Sequence, residues 1–182
     1  MKTKILDIRA LCHIGIFAAI IAASAQIVIP MPFGVPMTLQ TLAIPLAGIV
    51  LGAKNGVIAT LVYVLLGAVG VPVFAGFAGG IGIVFGRTGG FIISFPFMAF
   101  AAGIGAKKGK LWLSAWLMLG ASVNYICGML MFSSVTSNSL AASFSFVVLP
   151  FIPTTIIKIA ILIAFGKPIK QMLATSGVLH QC

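Results

Sequence analysis

The sequence alternates long apolar runs with short segments that are rich in glycine, proline or lysine. The runs are too long and too continuously apolar for the strands of a membrane β-barrel, so they predict transmembrane α-helices. Several are shorter than the roughly 20 residues of a simple crossing, which indicates tilt, local thinning of the bilayer or helix ends buried in protein. The six predicted spans cover residues 10–29, 38–51, 57–69, 89–105, 111–132 and 146–166.

The composition agrees with this pattern. Of the 182 residues, 61% are hydrophobic and 7% are charged, and the mean hydropathy is +1.25, whereas a soluble domain carries about 25% charged residues. We therefore predict an all-α integral membrane protein that forms one domain over residues 1–182 in the lipid bilayer. The net charge of +10 would also suit nucleic acid, but excess Lys and Arg in a membrane protein mark the cytoplasmic side, so no nucleic-acid partner is expected.

The basic residues also predict the orientation. With the N-terminus inside, nearly all of them fall in cytoplasmic segments, and the uncharged connection 133–145 falls outside, so both termini are expected to be cytoplasmic. The first run has the charged flank of a signal peptide, but its apolar part is longer than a signal requires, and we expect a retained helix. The cations predicted to be inside are Lys2, Lys4, Arg9, Lys54, Lys107, Lys108, Lys110, Lys167 and Lys170.

Lys158 does not fit this distribution because it lies within the sixth predicted span. A lysine at the bilayer centre costs roughly 2.5–3.5 kcal/mol on insertion scales. The only acidic residue of the chain is Asp7, near the N-terminus, so no neighbouring carboxylate offsets this cost. The alternative is snorkelling to the interface, which is difficult from so deep a position. We predict that Lys158 meets an anionic or polar ligand.

Residues 67–90 contain nine glycines in a segment that is too apolar for a solvated loop and too rich in glycine for a stable helix. At membrane depth such a segment must pack in protein or line a cavity. It predicts a lid or pocket wall that includes Phe74, with a purely structural connector as the alternative. Arg87 is the one cation expected on the outer side, where its planar donors suit a carboxylate or, alternatively, a lipid phosphate.

Further polar residues interrupt the predicted spans. Thr155 precedes Lys158 by about one helical turn, on the same face. Gln40, Asn124 and Tyr125 suit ligand contact and hydrogen bonding between helices equally well. The candidate substrate-binding residues are therefore Arg87, Lys158, Thr155, Gln40, Asn124, Tyr125 and Phe74.

Other function classes lack their signatures. No predicted span carries Asp or Glu, so carboxylate-based coupling to protons or sodium is not expected. The sequence has no phosphate-binding loop, no zinc-protease motif and no nucleophile elbow, so we expect no enzyme, catalytic residue, metal or cofactor. If the protein moves a solute uphill, another subunit must supply the energy. A small membrane channel or a structural membrane protein is the alternative from a different class.

Three motifs in order resemble the BioY family of biotin-binding S components of energy-coupling factor transporters. They are residues 33–42 (FGVPMTLQTL), 70–76 (GVPVFAG) and 86–90 (GRTGG). The resemblance implies six membrane helices in the cell membrane, biotin or a related vitamin as ligand, and a transmembrane coupling subunit with two cytoplasmic ATPases as partners. It also implies that the small-residue pairs of the first helix dock the coupling subunit; these residues are Ala18, Ala19, Ala22 and Ala23.

The chain departs from the family pattern at one position. The last helix of relatives usually begins Pro-x-Asp-x-x-Lys, whereas here residues 153–158 read PTTIIK. Lys158 is retained, but Thr155 replaces the acidic partner. The departure leaves open a different vitamin or a biotin precursor as the ligand.

Overall fold

The computed structural model describes residues 8–175, which form a bundle of helices with one short hairpin near one end. Strands β1 (Val28–Ile29) and β2 (Met37–Thr38) pair antiparallel, and residues 32–34 between them form a 3₁₀ turn. The helices are α1 (Ile8–Ala25), α2 (Gln40–Ala68), α3 (Ile81–Val84), α4 (Gly89–Gly105), α5 (Lys110–Thr136), α6 (Leu140–Val147) and α7 (Ile152–Thr175).

Helix α2 consists of two arms. The backbone at Gly52 has φ 81° and ψ 167°, which is not helical and which a residue with a side chain rarely adopts. Beyond this break the second arm folds back on the first. The close approach of the two arms shows this, since a Cβ built at Gly56 would lie 2.7 Å from the Cα of Gly48. The two arms correspond to the second and third predicted spans. Together with α1, α4, α5 and α7 they give six long helical segments.

Several predicted boundaries differ from the structure. The first helix ends at Ala25 rather than near residue 29, because the chain there enters strand β1. The last helix begins at Ile152, and residues 149–151 before it form a 3₁₀ turn. Pro150 lies in that turn, where its missing N–H and fixed φ are compatible with a break between helices. The connection predicted over 133–145 is largely helical, since it contains the end of α5 and most of α6.

The helical segments are apolar enough for a membrane. Within residues 8–175, four helical segments are long and apolar enough to cross a bilayer, and α4 is a shorter apolar helix. Their outward faces carry many exposed large hydrophobic side chains, such as Leu65, Leu111 and Phe165, which suit contact with lipid. Inside, α2, α4 and α5 approach closely at small residues. A Cβ at Gly48 would lie 2.0 Å from the carbonyl oxygen of Ala99, so the arm of α2 rests directly on the backbone of α4.

The side chain of Gln26, just after α1, holds the glycine-rich segment through hydrogen bonds. Gln26 donates from Nε2 to the carbonyl oxygens of Val73 and Phe74 at 3.3 and 3.2 Å, and its Oε1 accepts from the Phe77 amide at 2.8 Å. The segment turns at Phe77, whose φ is 57°, and Phe74 bridges to Ala78. These contacts hold Phe74 inward, where it is only 2% exposed.

Candidate ligand-binding site

A cavity of about 390 Å³ lies between the hairpin, the glycine-rich segment and the inner faces of α2, α4, α5 and α7. Its volume is in the range of small-molecule sites. The structure brings all seven candidate binding residues to this one cavity. Its lining also includes residues that the sequence analysis did not select, both aromatic rings and small or polar residues, among them Gly34, Thr38, Thr41, Phe91, Phe95 and Phe151.

Lys158 points its ammonium group at the start of α2. Its Nζ donates to the carbonyl oxygen of Thr38 and to the hydroxyl of Thr41, both at 2.7 Å. The charge is therefore solvated by neutral oxygens, which the sequence did not reveal because both residues lie more than 100 positions away in the chain. Among the residues that the structure describes, the third N–H has no hydrogen-bond partner, which leaves a donor for a ligand.

Gln40 joins the lysine to the interior of the bundle. Its Nε2 donates to the hydroxyl of Tyr63, and its Oε1 accepts from the hydroxyl of Thr38 at 2.8 Å. Thr38 in turn accepts from Lys158 through its carbonyl oxygen. Because Gln40 is 5% exposed and both ends of its amide are engaged, its first effect is to hold the hairpin and the lysine in place.

Asn124 and Tyr125 line the cavity from α5. The Nδ2 of Asn124 donates to the carbonyl oxygen of Phe91 at 2.9 Å and to the hydroxyl of Ser94 at 2.7 Å, so both amide hydrogens are used. No hydrogen bond to its Oδ1 comes from the described part of the chain, and this oxygen is left as an acceptor. Tyr125 shares a hydrogen bond with the hydroxyl of Thr155 across the α5–α7 contact.

Arg87 and Phe74 lie elsewhere in the lining. Arg87 is exposed, and its Nη1 would be 3.0 Å from a Cβ at Gly34, so its guanidinium group lies against the hairpin loop. The same loop places Phe33 on Phe146 of α6, with ring centroids 3.8 Å apart. Phe74 packs edge-on to Tyr63 at 5.7 Å and forms a buried apolar wall.

The charged side chains that line the cavity are both cationic. Two cations, Arg87 and Lys158, line the cavity, and the only acidic residue of the chain, Asp7, lies outside the described residues. A second space of about 20 Å³ shares Asn124, Thr155 and Lys158 with the lining of the cavity. It is large enough for one water molecule and is lined by polar groups that would bind it. Residues 8–175 contain no cluster of three metal ligands.

The small-residue pairs of α1 divide between two faces. Ala18 is 4% exposed, and half-buried Ala22 packs against the core, so this pair faces the inside of the bundle. Ala19 and Ala23 are exposed. The exposed small-residue face of α1 therefore runs along Ala19 and Ala23 and continues to Gly15, where an added Cβ would meet no atom within 4 Å.

Fold and site together define a multi-pass α-helical membrane protein with a partly open, cationic site for a small molecule. The family model for the BioY family matches residues 1–175. The chain belongs to the BioY family. The predicted fold class, that of a six-helix S component, is confirmed by the structural comparison that follows.

Similar proteins extend over nearly the whole chain. A probable biotin transporter BioY of Pyrococcus horikoshii is 41% identical over 160 residues, which cover 88% of this chain and 92% of the relative. The biotin transporter BioY of Thermotoga maritima is 36% identical, with 90% and 97% covered. The crystal structure of an S component for biotin from an ECF-type ABC transporter superposes with a TM-score of 0.83 at 25% identity and covers 94% of this chain and 95% of the other.

Proposed function

We propose that this protein captures biotin in the 390 Å³ cavity as the substrate-binding subunit of an uptake transporter in the cell membrane. The observation that carries the proposal is the ammonium group of Lys158, which lines the cavity and, among the described residues, has one N–H still available. The names of the relatives support biotin as the ligand. The same family membership argues against a channel, a structural protein or an enzyme.

The polarity of the cavity suits the three parts of biotin. The deep end offers both donors and acceptors, through Lys158, Thr155 and Asn124, and this mixture matches the ureido group, which also donates and accepts. The apolar wall at Phe74 suits the thioether ring and the tail. Arg87 is exposed at the rim, where it binds the carboxylate while that group keeps part of its hydration, so its desolvation costs less.

Transport requires partners. The spans carry no acidic residue for ion coupling, and the sequence has no phosphate-binding loop. We place both termini in the cytoplasm, since the basic connections then obey the positive-inside rule. A transmembrane coupling subunit docks on the exposed face of α1 at Ala19 and Ala23, because small residues allow close helix contact. Two cytoplasmic ATPases supply the energy.

Calorimetric titration of biotin into the protein in lipid nanodiscs tests the proposal. We expect saturable binding with one site per chain, and weaker binding of biotin methyl ester, which lacks the charge that meets Arg87. The variant Arg87→Gln removes that charge from the protein and should bind biotin and its ester with similar affinity. Absence of saturable biotin binding to a folded sample would refute the proposed ligand.

A further inference from the structure

The cavity contains more positive charge than biotin can neutralise. Lys158 and Arg87 both line it, and the two acceptors that Lys158 already has, at Thr38 and Thr41, are neutral oxygens. Residues 8–175 contain no acidic side chain. Biotin carries one carboxylate, so in either orientation one of the two cations faces a neutral group of the ligand.

We propose that the same cavity binds linear α,ω-dicarboxylates, in which an apolar chain carries a carboxylate at each end. This inference rests on the proposed binding site and extends the class of its ligands. One carboxylate meets Arg87 at the rim, and the other accepts from the free N–H of Lys158. A dianion thereby pairs both cations, and the gain is larger at half-buried Lys158, whose charge is otherwise met by neutral oxygens alone among the described residues.

The two cations are placed at the ends of one short stretch of chain. Arg87 lies against Gly34, and Lys158 binds the carbonyl oxygen of Thr38. Three residues lie between these anchors, so their Cα atoms, four steps along the chain, are at most roughly 14 Å apart. The rings of Phe74 and Phe91 line the cavity as well. This arrangement suits a flexible apolar chain of moderate length between two carboxylates.

Thr155 is the position that controls this preference. It lines the cavity, precedes Lys158 by about one turn and binds Tyr125 through a neutral hydroxyl. A carboxylate introduced here would pair with Lys158 and repel the inner carboxylate of a dianion. It would also accept from the N–H groups of a ureido ring. Thr155→Asp should therefore shift the preference from dicarboxylates towards biotin. Thr155→Asn should not, because asparagine has nearly the same shape as aspartate but carries no charge.

The test compares octanedioate, its monomethyl ester and biotin by calorimetry on the full chain in nanodiscs. For the unmodified protein we expect saturable octanedioate binding that competes with biotin. The monomethyl ester, which has the same chain and one charge fewer, should bind at least about tenfold more weakly. In Thr155→Asp the ratio of octanedioate to biotin affinity should fall at least about tenfold, while Thr155→Asn should keep that ratio within about threefold.

The outcomes separate this inference from the proposed function. Biotin binding without octanedioate binding overturns the dicarboxylate proposal and leaves the biotin site intact. Equal affinity for octanedioate and its monomethyl ester overturns it as well, because the second charge would then have no partner. If neither biotin nor octanedioate binds, the proposed site itself is wrong. The ester comparison uses the unmodified protein and therefore does not depend on the folding of either variant.

Discussion

Replacement of Lys158 by methionine separates the cost of burying the lysine from its value to the ligand. In the free protein Nζ makes two hydrogen bonds of 2.7 Å, to Thr38 and Thr41. Bonds that involve a charged group contribute about 1.5–3 kcal/mol each, so the pair contributes about 3–6 kcal/mol. The lysine costs roughly 2.5–3.5 kcal/mol to hold in the membrane. Because methionine removes both effects, Lys158→Met should destabilise the free protein by at most about 3.5 kcal/mol.

The effect of Lys158→Met on ligand affinity is not offset by a saved cost of burying the lysine. The available N–H of Lys158 would donate to biotin, and loss of one charge-assisted hydrogen bond costs about 1.5–3 kcal/mol. The dissociation constant for biotin should therefore rise by a factor of about 10 to 150. Lys158→Met is thus expected to be a folded protein with a damaged site.

The assay measures the thermal unfolding midpoint and the biotin affinity of the same nanodisc samples. Lys54→Met is the matched control, because Lys54 is an exposed lysine that follows the break in α2 and does not line the cavity. The control should leave both quantities unchanged. A Lys158→Met protein that binds biotin as tightly as the unmodified chain would falsify the reasoning, since the ammonium group would then have no part in recognition.

Three further changes test other contacts. Gly48→Ala places a methyl group 2.0 Å from a backbone oxygen of α4 and should lower the free energy of unfolding by about 1–3 kcal/mol. The control Gly15→Ala, which has open space around the added methyl group, should not lower it. Equal thermal unfolding midpoints for the two variants would contradict the close packing. Asn124→Leu removes the amide that donates to the carbonyl oxygen of Phe91 and to the hydroxyl of Ser94. It should lower the free energy of unfolding by about 1–3 kcal/mol and also weaken biotin binding in calorimetry. Phe33→Gly removes the ring that stacks on Phe146, and glycine tolerates the positive φ of 72° at this position. Because the stack holds the hairpin loop whose Gly34 lines the cavity, its loss should accelerate biotin release, measured by stopped flow, by about two- to tenfold. An unchanged rate would show that this contact does not retain the ligand.

The sequence identified the charged residues of the candidate site because each of them opposed a strong pattern. Lys158 interrupts an apolar span, and Arg87 lies in a connection that the predicted orientation assigns to the side without other cations. Thr38 and Thr41 gave no such signal of their own, since a threonine near a helix end is ordinary. Their hydrogen bonds to Lys158 form only when the end of the hairpin and the start of α2 pack against α7.

Helix boundaries were predictable only where a residue enforces them. The glycine that separates the arms of α2 coincides with a predicted break, because the backbone there needs a positive φ. By contrast, the hydrophobicity of residues 140–173 is continuous enough to qualify as one apolar segment, although the chain bends at residues 149–151. Hydrophobicity shows that a segment is buried or in contact with lipid, but it does not show where one helix ends. Helices α6 and α7 are both apolar, although they are separate helices.

Helix α1 shows why small-residue spacing alone could not assign a docking face. Two pairs with the same spacing lie side by side in sequence, at Ala18 with Ala22 and at Ala19 with Ala23, and they point to different neighbours because adjacent helical positions lie about 100° apart. The first pair is occupied by the core. Under the proposed function, a coupling subunit that grips the second pair acts on a helix whose other face is packed into the bundle. Force applied at this face would therefore move the bundle with its cavity, rather than separate α1 from it.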